Sequence, residues 1–141
     1  DAASPGVPTD GIEDFLDFLA RESIRTGVIS NISYSGKVVS ERINRMLPRN
    51  RFEFIIATSE YTFRKPNRHI FDLAAETAGT APENIWYIGD SYECDVVGSK
   101  NAGMFPVYYS GASANTRRTC PDESVLSVDS WVALQSILES L

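Results

Sequence analysis

The chain has 141 residues, 43% hydrophobic and 23% charged, which bounds it to one ordinary globular domain with a core of its own. A net charge of −6 argues against a nucleic-acid backbone as partner, and no apolar run approaches the ~20 residues that a membrane helix needs. Two cysteines, Cys94 and Cys120, are too few for a disulfide framework and imply a reducing, cytoplasmic setting; His69 is the only histidine, so any Ser-His-Asp or Cys-His mechanism would have to use it.

Residues 1–10 are polar and proline-bearing and are expected to be a linker from a missing amino-terminal part. Asp10 with Glu13 reads as an N-cap and its reciprocal acid, and Ile12, Phe15, Leu16 and Leu19 recur at helical spacing, so residues 11–23 are predicted as an amphipathic helix. Thr26 to Ser30 reads as a short buried strand ending in Ser30-Asn31. A helix with Val39, Ile43, Met46 and Leu47 on one face follows, stopped by Pro48. Phe52 to Ala57 is a second strand, and the loop after it leads through Ser59 to Lys65. Pro66 suits the first turn of a helix carrying Ile70, Phe71, Ala74 and Ala78 and ending at Gly79. Pro106 to Tyr109 reads as a fourth strand, 110–124 as a surface loop, 125–128 as an edge strand, and Trp131, Leu134, Leu138 and Leu141 as the apolar face of a closing helix.

Between the helix that ends at Gly79 and the strand that starts at Pro106 lies the stretch Ile85 to Met104. Ile85 to Ile88 is a buried strand, Gly89 allows a sharp turn, and Asp90 and Asp95 flank a helix start that runs to a Gly103 stop. The bland account makes Asp90 an N-cap and Asp95 a solvated first-turn acid. The alternative is that two acids at a buried strand's end face one cation, which relieves their repulsion.

Strands and helices alternate throughout, and the strands are apolar on both faces. That pattern calls for an α/β fold, a Rossmann-like parallel sheet with helices on both faces. In such sheets reactive groups gather at the carboxyl ends of the strands. Ser30-Asn31, Lys65 and the acids Asp90 and Asp95 converge there, a set suited to phosphoryl transfer. Ser30 and the amide after it can hold phosphate oxygens, Lys65 can neutralise developing charge, and the acid pair can hold Mg²⁺.

The segments Val28-Ile-Ser-Asn31, Arg64-Lys-Pro-Asn-Arg-His-Ile-Phe71 and Ile88-Gly-Asp-Ser-Tyr-Glu-Cys-Asp95 with its continuation to Met104 resemble the second, third and fourth motifs of the haloacid dehalogenase-like (HAD) hydrolases. The resemblance covers about residues 5–110. It implies that Ser30 binds the transferring phosphoryl group, Lys65 is the stabilising lysine, Asp90 is a direct Mg²⁺ ligand and Asp95 acts on the ion only from behind its direct ligands or through water. His69 falls at a position the family leaves variable and reads as a surface helix residue.

The family's first motif, an Asp-x-Asp that supplies the nucleophile, is absent: Asp10, Asp14 and Asp17 follow no strand. The chain therefore resembles the carboxyl-terminal half of a cap-bearing member, and without a nucleophile it is expected to be inactive alone. In the family the missing strand lies between the strand ending in Ser30 and the one ending in Asp90. Its loss predicts either a gap, filled by the amino-terminal half of the same protein or by a second copy, or direct pairing of the two strands. The favoured function is Mg²⁺-dependent hydrolysis of a small phosphorylated metabolite. The alternatives are a metal-free 2-haloacid dehalogenase, which the acid pair argues against, and a non-catalytic phosphate-binding module.

Overall fold

A computed structural model of the chain describes residues 10–31, 35–111 and 120–141. The expected linker (apart from residue 10) and part of the expected surface loop lie outside the described residues. In chain order the elements are α1 (Ile12–Arg21), β1 (Thr26–Ser30), α2 (Gly36–Met46), β2 (Phe52–Ala57), α3 (Arg68–Ala78), β3 (Trp86–Gly89), α4 (Gly98–Asn101), β4 (Phe105–Tyr109), β5 (Leu126–Val128) and α5 (Trp131–Glu139). A π-helical turn, Tyr92–Val97, runs directly into α4. Every strand pairing is parallel, as the apolar strands required.

The sheet is not continuous. β1 pairs with β2, and β3–β4–β5 form a separate three-stranded sheet, so β1 and β3 are not hydrogen-bonded to each other. Direct pairing of β1 with β3, one of the two outcomes expected above, is not found among the described residues.

Side-chain alternation assigns the helices to two faces. On one face Val28, Ile55 and Ala57 pack with Val39 and Ile43 of α2, while Trp86, Ile88, Val107 and Tyr109 pack with α1 and α5. On the other, Ile29, Ile56 and Tyr87 pack under Ile70, Phe71, Ala74 and Ala75 of α3, and Tyr108 packs against Val96 of the π-helical turn. Trp131 ties the first face together, stacked on Tyr109 at 4.4 Å and lying 5.1 Å from Phe15 between ring centroids. Burying apolar side chains of this size contributes about 1.5–3 kcal/mol each.

Local signals set the helix ends, with two departures from expectation. Gly79 ends α3 at φ 66, a left-handed conformation that glycine adopts without strain. Asp10 does not cap α1; the N-cap is Gly11, also left-handed, with no side-chain bond. Pro66 does not open α3; Asn67 is its N-cap and accepts from the His69 amide at 2.8 Å. Among the described residues no helix is long and apolar enough to cross a membrane, and Cys94 and Cys120 are free thiols.

Candidate active site

Parallel register brings the carboxyl ends of the strands to one edge. Ser30 ends β1 level with Ala57 of β2, and Gly89 ends β3 level with Tyr108 of β4. Beyond that edge the loop after β2 delivers Lys65. Its backbone is held at two points by the Asn31 side chain, which donates from Nδ2 to the Lys65 carbonyl and accepts at Oδ1 from the Lys65 amide, both at 3.0 Å. The end of β1 and the approach to α3 are thereby fixed to each other.

From this clamp the Lys65 side chain reaches the other sheet. Its Nζ lies 2.7 Å from Asp95 Oδ1, and both side chains are only 2% exposed. The second carboxylate oxygen of Asp95 accepts from the Ser91 amide at 3.0 Å. Gly89 leaves the room for this: a Cβ there would fall on the Asp95 carboxylate. Lys65 Nζ also lies 5.7 Å from the centroid of the Tyr87 ring, near the range of a cation–π contact. Burial, with the Asp95 carboxylate beside it, pushes the Tyr87 phenol well above its ordinary pKa.

The two aspartates therefore have different surroundings. Asp90, next after Gly89, is exposed, whereas Asp95 is 1% exposed and already answered by an ammonium and an amide. Neither matches the bland account weighed above: Asp90 is not the cap, and Asp95 lies in the first turn but is buried, not solvated. The cap is Ser91, whose hydroxyl accepts from the Cys94 amide at 3.2 Å. Ser91 also receives two backbone bonds, from Asp95 at 2.9 Å and from Val96 at 3.3 Å. The second of these is the i→i+5 bond of a π turn, a device often found at functional sites. Within this turn Asp95 faces inward onto Lys65. Ser30 is buried at the same edge, at 7% exposed. His69 lies apart on the exposed start of α3, its ring 4.7 Å from that of Phe63.

Of the four, the structure brings Lys65 and Asp95 into direct contact, while Ser30 ends β1 and Asp90 follows β3, each at the carboxyl end of its own sheet. Reading the sequence missed Tyr87, the Ser91 amide and the structural use of the Asn31 side chain. For Asn31 and Ser91 the only signal was their place directly after a strand; for Tyr87 it was a hydroxyl in an otherwise apolar strand. A Mg²⁺ ion prefers hard oxygen ligands in octahedral array and commonly takes one or two carboxylates plus phosphate and water. Asp90 fits that chemistry. Asp95 fits it only from behind, since both of its oxygens are engaged, and no group of three or more His, Cys, Asp or Glu side chains gathers for a metal among the described residues.

A parallel α/β core that sets a hydroxyl, a buried ammonium and two carboxylates beyond its strand ends defines a class that carries its chemistry at the sheet edge. The model of the haloacid dehalogenase-like hydrolases matches residues 6–108, and the chain belongs to that family. It is 29% identical over 112 residues to a glyceraldehyde 3-phosphate phosphatase of Methanothermobacter thermautotrophicus, covering 78% of this chain and 48% of that protein. It is 32% identical over 99 residues to the pyrimidine 5'-nucleotidase YjjG of Escherichia coli, covering 70% of this chain and 43% of that protein. The chain thus spans about half the length of these relatives. Among solved structures, a HAD-superfamily hydrolase from Ehrlichia chaffeensis superposes with a TM-score of 0.78 at 19% identity, over 99% of this chain and 61% of that one. A 2-haloacid dehalogenase from Pseudomonas syringae gives 0.75 at 19% identity, over 94% and 54%. These two likenesses establish the shared α/β fold.

Proposed function

We propose that the chain forms the carboxyl-terminal part of a Mg²⁺-dependent phosphohydrolase acting on a small phosphorylated metabolite. The observation that carries this reading is the buried Lys65–Asp95 pair at the sheet edge shared with Ser30 and Asp90. Two relatives named as phosphatase and nucleotidase, at 29% and 32% identity, add to it. Ser30, through its hydroxyl, and the backbone amide of Asn31 hold phosphate oxygens; the Asn31 side chain is spent on Lys65. Lys65, oriented by Asp95, offers its ammonium to charge developing on the phosphoryl group. Asp90 supplies one ligand to Mg²⁺, and Asp95 holds Lys65 and the turn behind it in place. When bound, the ion neutralises phosphate charge. The attacking carboxylate comes from polypeptide outside these residues, the amino-terminal part of the same protein.

The reading is tested by co-expressing residues 1–141 with a polypeptide carrying a strand that ends in Asp-x-Asp. Hydrolysis of an aryl phosphate with Mg²⁺ is then followed. Turnover is expected from the pair and not from residues 1–141 alone, and Lys65→Ala is expected to abolish it. Turnover by the chain alone overturns the external nucleophile. A well-folded pair inert toward every phosphate monoester tried overturns the phosphatase reading.

A further inference from the structure

Tyr87 carries a polar group that the chemistry proposed above leaves unused. Its ring is fixed on two sides. It packs edge-on against Phe71 of α3, with centroids 5.0 Å apart at 78°, and Lys65 Nζ lies 5.7 Å from its centroid. The hydroxyl at its tip is buried and has no hydrogen-bond partner among the described residues. A hydroxyl taken out of water without a bond costs free energy, and folded proteins rarely leave one so. Besides Lys65, three ionisable groups bear on this phenol: Asp95 foremost, then Asp90 and Cys94. Burial together with these neighbours keeps it protonated, and a protonated phenol is a donor. Asp95 is its natural acceptor. A carboxylate offers about four acceptor positions; Lys65 Nζ takes one on Oδ1 at 2.7 Å, and the Ser91 amide takes one on Oδ2 at 3.0 Å.

We propose that Tyr87 is a positioning residue whose hydroxyl donates to Asp95 when the Lys65 ammonium turns toward an anion at the sheet edge. The buried carboxylate, and the turn that carries it, then stay in place while the lysine answers the substrate. The proposal takes its occasion from the phosphohydrolase reading, since a phosphoryl group is what draws Lys65; its geometry stands apart from that reading. The need for a second donor comes from burial. Asp95 is 1% exposed, and a carboxylate so far from water has to keep a cation or hydrogen-bond donors facing it. As phosphoryl charge attracts the Lys65 ammonium, its hold on Oδ1 weakens, and the Ser91 amide on Oδ2 remains. The Tyr87 hydroxyl fills that place without changing its own charge, because it shares its proton across a hydrogen bond and does not lose it. Without it, Asp95 holds Lys65 back at the moment when charge develops on the phosphoryl group. Phenylalanine at this position keeps the ring and its contact with Phe71 and removes the donor alone.

Residues 1–141 test the change of donor without any activity. The Cζ resonance of isotope-labelled Tyr87, assigned by its loss in Tyr87→Phe, is expected in the native chain where a phenol without an acceptor resonates. In Lys65→Met, which takes the ammonium away, it is expected to move to the position of a phenol bonded to a carboxylate, and to return in Lys65→Met/Asp95→Leu. Urea unfolding reads the same cycle. Tyr87→Phe alone is expected to change the folding equilibrium constant by less than about threefold, and to lower it at least about tenfold in the Lys65→Met background. Should Lys65→Met not fold, Lys65→Gln takes its place. An unmoved resonance, or losses that simply add, overturns the proposal. So does a native hydroxyl already bonded to a buried water, seen as a contact between the hydroxyl proton and water, because the donor is then not in reserve. In the active pair of residues 1–141 with the polypeptide carrying Asp-x-Asp, Tyr87→Phe is expected to lower kcat about tenfold and to leave KM unchanged. A rise in KM alone overturns the role assigned to Tyr87. An inert pair overturns the phosphohydrolase reading, and with it the occasion on which Tyr87 acts, while the resonance and the unfolding cycle still decide whether the hydroxyl answers Asp95.

Discussion

Lys65 and Asp95, thirty residues apart, meet at 2.7 Å with both side chains almost wholly withdrawn from solvent. One belongs to the loop that leads from the β1–β2 sheet, the other to the turn that follows β3, so this pair joins the two halves of a divided sheet at its carboxyl edge. A buried ion pair is weak evidence for net stability, because desolvation offsets the Coulomb attraction. Breaking it by halves is another matter.

Asp95→Asn or Lys65→Met alone leaves an uncompensated charge in a dry site and is expected to cost about 3–5 kcal/mol in urea unfolding. The double variant Lys65→Met/Asp95→Leu is expected to cost clearly less than the sum of its singles, since the two groups act on each other. Additive losses in this cycle would show that the two charges do not depend on one another.

Gly89→Ala tests the same geometry from the backbone side. The added methyl falls on the Asp95 carboxylate, so Asp95 has to swing off Lys65 or the π turn has to open. A loss of about 1–3 kcal/mol is expected, as for other overpacked sites. It should be smaller in an Asp95→Ala background, where the methyl finds space, and unfolding midpoints of the four chains settle it.

Much of this fold was legible because it rests on local patterns. The apolar runs at Thr26–Ser30, Phe52–Ala57 and Trp86–Gly89 are strands, and Gly79 stops α3 as its position required. What escaped was non-local or turned on a single residue's conformation. A helix start after Asp90 was visible, but its π form depends on Asp95 turning inward toward a lysine thirty residues away. Asp10 looked like a cap, yet Gly11 takes that place by adopting a left-handed backbone. The site residues were found as types gathered at one edge. Their division into an exposed Asp90 and a buried, paired Asp95 follows from packing alone.

Tyr87 gives the chain a dependence on alkaline pH. Burial beside Asp95 raises its phenol well above the ordinary value of about 10. The folded state then keeps a proton that the unfolded state gives up, so this contribution to stability is whole below pH ~10 and is lost as pH climbs from there through the folded value. Unfolding free energies measured across that window are expected to fall with pH, and to fall less steeply in Tyr87→Phe. An unchanged slope in the variant would remove Tyr87 as the source.

Asp90 and Asp95 are expected to separate cleanly under the same substitution. Asp90 is exposed, so Asp90→Asn should leave the unfolding midpoint unchanged, whereas Asp95→Asn lowers it. Toward Mg²⁺ the order reverses. One exposed carboxylate falls short of what the ion requires without phosphate and further acids, so calorimetry on residues 1–141 should show weak binding only. Asp90→Asn should remove that weak binding, because it takes away the accessible carboxylate. Asp95→Asn, studied at a temperature where it is still folded, should reduce it less, since the oxygens of Asp95 face Lys65 and the Ser91 amide. Tight binding by the chain that survives Asp90→Asn would place the ion elsewhere and withdraw Asp90 as its ligand.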